Sequence, residues 1–322
     1  MALRTIERVS YNRRKVTVTA EIQGVSESLS GGFLAVMGSL FSTPTRRFAA
    51  LIALVVPLPA GAETAVGAVP QAIWPAAVAA HYNLSFGGFD VGKYQFQSKF
   101  DGKSYTVSSD ASVSALFGAF KWKGALEAKG AIEAHAAHPA GYQLNFKTKA
   151  KEGQVKLGFD KSGVSVVTLV PAKPPSPEAV PVKPEHLKNV FDPLTAIVAM
   201  THAGGAAPCD RKIPVFDGKA RFDLQLSLKG EQRLTEKKPS GQPANLIVCR
   251  VKYVPIAGHK PKDFANPWVD YNGIEITFRP IPSANVNVPY RLSIPTSIGS
   301  AVMTADRIDI TAANKSVIAL TQ

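Results

Sequence analysis

The chain has 322 residues, 45% of them hydrophobic, with 37 Lys and Arg against 24 Asp and Glu, a formal net charge of +13 and a pI near 9.7. That length suits one large or two modest domains, and the apolar fraction is enough for a core, which excludes a chain too polar to fold. The positive balance would suit nucleic acid or an anionic membrane surface, but the lysines are spread along alternating segments such as Lys93-Gln95-Gln97-Lys99. Spread this way they read as an outward, solvated basic face and not as a nucleic-acid site.

Residues 1–36 are charged and do not fit a leader, and they precede a second methionine, Met37. We read 1–36 as a mis-assigned or disordered N-terminal extension. Arg46 and Arg47 then precede an apolar run from Phe48 to Leu58, followed by Pro59, Ala60, Gly61 and Ala62. A positive start, an apolar run too short to span a bilayer and small residues at an A-x-A site make 37–62 a signal peptide cleaved after Ala62, with an uncleaved anchor as the alternative. Phe48 follows the two arginines without a spacer, so the general secretory route is expected, delivering a periplasmic protein. No cysteine follows the apolar run, which argues against a lipoprotein anchor, and no transmembrane segment is expected after cleavage.

Residues 63–78, rich in Ala, Val and Pro, read as a flexible lead-in to a single β domain over 79–322. Tyr82, Leu84 and Phe86, then Tyr94, Phe96, Ser98 and Phe100, alternate with polar residues around FGGFDVG, which is a hairpin. Asp101-Gly102 is a turn, KSYTVSSDA a strand, ASVSALFGAF either helix or strand, and FKWKGALEAKGAIEA a long strand or bent pair. AHAAHPAG reads as a loop. Tyr142, Leu144 and Phe146 mark the next strand, and turns at Glu152-Gly153 and Lys161-Ser162-Gly163 bracket two more. Alternation then stops: residues 171–187 hold six prolines in seventeen residues, an extended surface crossover with few donors for a ladder.

The next stretch organises the chain. In FDPLTAIVAM, Asp192 can cap a helix and Pro193 suits its first position. Leu194, Ile197, Val198 and Met200 make that helix apolar on nearly every side, so it should be buried, and Gly204-Gly205 end it. After a tight PVFDGK segment, Phe222, Leu224 and Leu226 alternate with Arg221, Asp223 and Gln225, a half-buried strand. Residues 231–245 read as a polar loop, 246–254 as a strand, 255–268 as a loop, and GIEITFRPI, VPYRLSIPT, SIGSAVMTA and ADRIDITA as four short strands. Some dozen strands with short connections pair antiparallel. The fold class is mainly β: a curled antiparallel sheet, half-barrel or spiral, wrapped around one short buried helix.

The two cysteines, Cys209 and Cys249, read as a disulfide in an exported chain, with two separate buried thiols as the alternative. No G-x-S-x-G, P-loop or H-E-x-x-H pattern occurs. Of the six histidines, His135 and His138 stand three apart, but in an Ala/Pro loop without carboxylates, so no metal and no cofactor is expected. Asp210-Arg211 reads as a structural ion pair or a turn, and Asp217-Gly218 as a turn.

FDPLTAIVAM, CDRKIPVFDGKARFDLQLSL and CRVKYVPIAGHKP together resemble a family of exported bacterial proteins, domain-of-unknown-function family 3108, over about residues 80–260. The resemblance implies a periplasmic protein with a curved antiparallel sheet similar to the lipoprotein-carrier half-barrels; it implies no reaction. The expected function is a non-enzymatic envelope protein binding a lipid or other amphipathic ligand on a concave sheet face. Leu194, Ile197, Val198, Phe222, Leu224 and Leu226 either line that groove or fill it as core. Lys212, Arg221, Arg250, Lys252, His259, Lys260 and Lys262 are candidates for a basic rim. The alternative is a structural protein of the envelope that meets another periplasmic protein, and a third reading is an envelope hydrolase.

Overall fold

A computed structural model describes residues 17–18, 74–115, 118–133, 136–202, 207–236, 239–261 and 273–321. The signal peptide, its cleavage site, Gly204-Gly205, His135 and Lys262 lie outside the described residues.

Seven consecutive hairpin-linked strands form a first arm: β2 (Ala77–Phe86), β3 (Phe89–Phe100), β4 (Ser104–Ala115), β5 (Phe120–Glu133), β6 (Ala136–Thr148), β7 (Glu152–Asp160) and β8 (Gly163–Val170). The proline-rich crossover and helix α1 (Pro193–Thr201) follow. A second arm comprises β9 (Arg211–Phe216), β10 (Arg221–Arg233), β11 (Asn245–Ala257), β12 (Glu275–Ile281), β13 (Val286–Thr296), β14 (Gly299–Thr311) and β15 (Val317–Thr321). A two-residue β1 (Thr17–Val18) pairs parallel with β8. The fold is mainly β: one large antiparallel sheet with one short helix. Its strand order is β1-β8-β7-β6-β5-β4-β3-β2-β14-β13-β12-β11-β10-β9, with β15 paired to β14 beyond the reach of β13. The sheet is open. No ladder joins β8 to β9 among the described residues, and it is not strongly curled, so a closed or spiral form is not what these strands build.

The expected hairpins, the crossover and the helix stand where alternation and capping placed them. Strands β10 and β11 run on into the expected loops, to Arg233 and Ala257, by pairing with each other, and four other segments differ. The lead-in ends early: β2 begins at Ala77, and Trp74 stacks on Phe100 and His202 at 5.0 and 3.9 Å between ring centres. The Ala/His/Pro segment is not a loop but the start of β6, with Ala137 buried and Pro139 opposite Gly130 at a register shift, where a missing donor is tolerated. RKIPVF is a strand too. Pro214 interrupts its pattern, yet β9 is the last strand of the sheet, so one edge needs no N–H from it. Finally, β14 is continuous across Met303–Asp306, with a bulge between Ala305 and Arg307.

The helix-facing side of the first arm carries Tyr82, Phe96, Tyr105, Val107 and Tyr142 into one apolar cluster with Leu194 and Val198 of α1 and with Ile281, Ile308 and Ile310. A second cluster joins Ala196 and Met200 to Ile213, Val215, Phe222, Cys249, Val251 and Phe278. The helix therefore buries opposite sides against different arms, touching β4, β5 and β6 as well as β9 and β13. That explains an apolar composition all round it.

Candidate functional site

The D-P-L-T sequence builds a buried polar chain at the helix N-terminus. Asp192 Oδ1 accepts the backbone N–H groups of Leu194 and Thr195 at 3.0 and 2.9 Å, and Oδ2 accepts the Thr195 hydroxyl at 2.6 Å. The Thr195 proton being so used, Tyr105 donates its own hydroxyl to Thr195 Oγ1 at 2.7 Å. Asp192 and Thr195 have no solvent exposure. Burial pushes the Asp192 carboxyl up to about 6, although its hydrogen bonds favour the charged form. At the other end, Arg211 donates to the carbonyls of Ala199 and His202 at 2.7 and 2.8 Å, satisfying acceptors the helix leaves open. Arg211 is thus tied to the helix C-terminus rather than to Asp210. These groups hold the helix between the arms.

The six candidate groove residues are distributed through the core. Leu194 and Val198 are 1% exposed, Phe222 and Leu226 are buried, and Ile197 and Leu224 are partly buried against them. Phe222 stacks on Tyr253 at 4.6 Å between centres. A disulfide joins Cys209, just after the helix, to Cys249 in the middle of β11.

The basic candidates do not form a rim. Lys212, Arg250 and Lys252 are exposed and Lys260 is half-buried, 3.5 Å from Glu178 of the crossover. Arg221 and His259, expected at the surface, are buried. Asp223 sits between Lys212 Nζ at 2.9 Å and Arg221 Nη1 at 2.7 Å. A His259 ring nitrogen lies 3.2 Å from the Arg221 carbonyl, and the ring meets the edge of Tyr253. The crossover closes over this corner, with Val180 exchanging backbone hydrogen bonds with Gly258 and His259. Gly258, at φ +82°, lies so close to the turn before β10 that a Cβ would fall 2.0 Å from the Lys219 carbonyl. Asp217 closes the adjoining turn by accepting from Lys219 and Ala220, and burial pushes its carboxyl up. The C-D-R, D-G and G-H sequences are therefore joints of the frame.

An open groove of about 700 Å³ lies elsewhere, on the far face of the first arm, across β3 to β8. Register builds it from two transverse rows. One runs Lys93, Ser112, Lys123, Lys147, Glu152, and the other Gln95, Asp110, Ala125, Asn145, Gln154, Val170. Short Ser112 and Ala125 make the floor, and longer side chains flank them. A twisted sheet is saddle-shaped, so a face away from the core can still be concave along one diagonal. Beneath the floor, on the helix side, Gly124 and Gly153 are covered by the Trp122 and Phe146 rings; a Cβ at either would lie within 2.5 Å of ring carbon. Gln154 donates to Asn145 at 2.7 Å and Lys147 to Glu152 at 3.3 Å. Lys123 stands directly opposite Lys147 on the neighbouring strand, and like charges in that relation repel. Chemically the groove offers amide and hydroxyl groups and the ammonium groups of Lys93, Lys123 and Lys147 against the carboxylates of Asp110 and Glu152, a small positive surplus that suits a hydroxyl-rich ligand carrying negative charge. Alternation did put Lys93 and Gln95 on an outward face, but the groove needs register across six strands, which no local pattern reveals.

Among the described residues, no group of three or more His, Cys, Asp or Glu could hold a metal ion, and no helix is long and apolar enough to cross a membrane. A family model described as "Protein of unknown function (DUF3108)" matches residues 81–306, from β2 into β14. None of the curated proteins searched matches the chain. A solved structure described as a beta-barrel-like protein of domain of unknown function DUF1849 from Brucella abortus is similar at 13% identity and a TM-score of 0.46, covering 74% of this chain and 99% of that one.

Proposed function

We propose, for a chain that belongs to the DUF3108 family, a non-enzymatic role in the periplasm: holding an anionic, hydroxyl-rich envelope ligand in the far-face groove of the first arm. The observation that carries this reading is the Lys123–Lys147 opposition on the groove wall, which Glu152 offsets only at Lys147, next to Gln95, Ser112 and Asn145. A negative group between two ammonium groups removes a repulsion the free protein must carry. The disulfide and the leader-like 37–62 sequence support an oxidising, exported location. A non-catalytic role is supported by the use of the buried ionisable groups: Asp192 caps a helix, Asp217 closes a turn, and Asp223 is held by two cations.

The sheet also bends around α1 as a shallow trough in this reading. Its support is that α1 touches strands of both arms, and that a Cβ on Gly218, beyond β9, would lie 2.5 Å from Val155 of β7. The helix fills that trough, so the ligand belongs on the opposite face. Titration calorimetry with a phosphorylated oligosaccharide and its dephosphorylated counterpart tests the proposal. Saturable binding of the first, weakened about tenfold or more by Lys123→Glu, is expected; equal binding of both, or none, rejects it. Adding the same head group on a lipid in micelles separates a free glycan from a glycolipid.

A further inference from the structure

We propose that one end of the sheet docks on an anionic lipid bilayer, with the exposed apolar side chains of neighbouring hairpin tips entering the interface and lysines beside them meeting the head groups. The inference is independent of the groove. Antiparallel register brings four turns to the same end, in spatial order β13–β14, β2–β3, β4–β5 and β6–β7. The first two touch: Gly87 donates its N–H to the Ser300 carbonyl at 3.0 Å, and a Cβ on Gly299 would lie 3.1 Å from Gly87 Cα. Ile298, Phe89 and Phe120 project from the first three tips with 64%, 78% and 44% of their surface exposed. Lys121 follows Phe120, and Lys149 and Lys151 form the fourth turn; all are exposed. Asp90 and Glu152 are the exposed acidic residues beside these tips.

The opposite end of the same strands is the control. Three turns there, among the described residues, are polar and hold themselves together. Asp101 accepts from the N–H groups of Lys103 and Ser104, Asp160 from that of Ser162, and Asn314 from that of Ser316. Val317 is exposed there, but in β15 and not in a turn. Turn formation therefore does not require an apolar tip. At β2–β3 the positive φ angles belong to Gly87 and Gly88, at +57° and +89°, so the turn's geometry does not call for Phe89. A protein interface of standard size needs about 800 Å² of continuous surface on each side. Separate apolar points with ammonium groups beside the last of them fit the bilayer interface, where aromatic rings settle at head-group depth and each nearby lysine adds attraction to anionic lipid.

The test uses the full chain with Phe89→Trp, mixed with phosphatidylglycerol vesicles whose acyl chains carry bromine, after subtracting the emission of the unsubstituted protein. Quenching of the indole placed at position 89 is expected, whatever other segments adhere to lipid. In co-sedimentation, Phe89→Ser with Ile298→Ser should weaken binding about tenfold, and Lys149→Gln and Lys151→Gln about fivefold each. All four positions are exposed, so melting temperatures should be unchanged. Absence of quenching overturns the proposal. So does equal quenching on phosphatidylcholine vesicles, or self-association in sedimentation velocity that Phe89→Ser abolishes, which would assign the tips to a second copy.

Discussion

The two arms of the sheet are stabilised in different ways. The second arm is fastened by discrete bonds: the Cys209–Cys249 disulfide, the Lys212–Asp223–Arg221 cluster, and Arg279, which reaches Glu236 at 2.6 Å and Ser240 at 2.9 Å and so pins the 234–244 loop. The first arm is a meander of seven strands held by ladders and one apolar face, and its far face stays open to solvent. The groove and two of the three apolar tips, Phe89 and Phe120, lie on the arm that lacks these fastenings, while Ile298 belongs to the second arm beside them. Where a surface must stay available, stability has to come from the other side of the sheet or from the other arm, and α1, buried against both, carries that support across.

The largest expected effect breaks the second arm. Cys209→Ser opens a link spanning 40 residues and should cost about 4 kcal/mol in the chain-entropy model. Thermal melts of wild type and variant, with and without reductant, read this directly, and coincidence of all four curves would show that the bond contributes nothing. Leu194→Ala cuts the support between the arms and should cost about 3 kcal/mol. Hydrogen exchange should then rise in β4–β6 as well as in β9; a rise confined to one arm would break the comparison.

Asp192 gives a pH dependence. Its folded pKa is raised to about 6 from 3.8, so the unfolded chain gives up this proton more readily. The stability tied to the protonated form is complete below about pH 4 and lost as pH rises through 6, up to about 3 kcal/mol. Asp192→Asn should flatten the denaturation midpoint between pH 4 and 6. An unchanged profile would place the titrating group elsewhere. The smallest effect belongs to the open arm: Lys123→Gln removes a like-charge opposition and should raise stability by only a few tenths of a kcal/mol, while binding to the phosphorylated oligosaccharide falls. A destabilised variant would mean the far face is structural after all.

Much of the frame was legible in local sequence. Asp192-Pro193 before an apolar run fixes the helix start, and Phe222, Leu224 and Leu226 fix a strand face; both follow from neighbours a few residues away. Pro214 hid β9, and Ala136–Ala140 hid the start of β6, because an edge or a bulge excuses a proline only once the partner strands are known. Arg221 and His259 look like surface residues because nothing local shows that the crossover folds over them through Val180. The groove was least legible of all, since Lys93, Lys123 and Lys147 become neighbours only through the ladders.

The pairing of β2 with β14 sets an order of events for a newly made chain. The first arm emerges early and can zip hairpin by hairpin, but the free edge of β2 waits for a strand near the other terminus. Until then Ala77–Phe86 presents a ten-residue row of open donors and acceptors, a template for any stray strand. Contacts so distant in sequence form slowly. A chaperone that shields this edge would therefore raise yield more than one acting on the hairpins, and trapped dimers in a stalled or truncated chain should be crosslinked through β2.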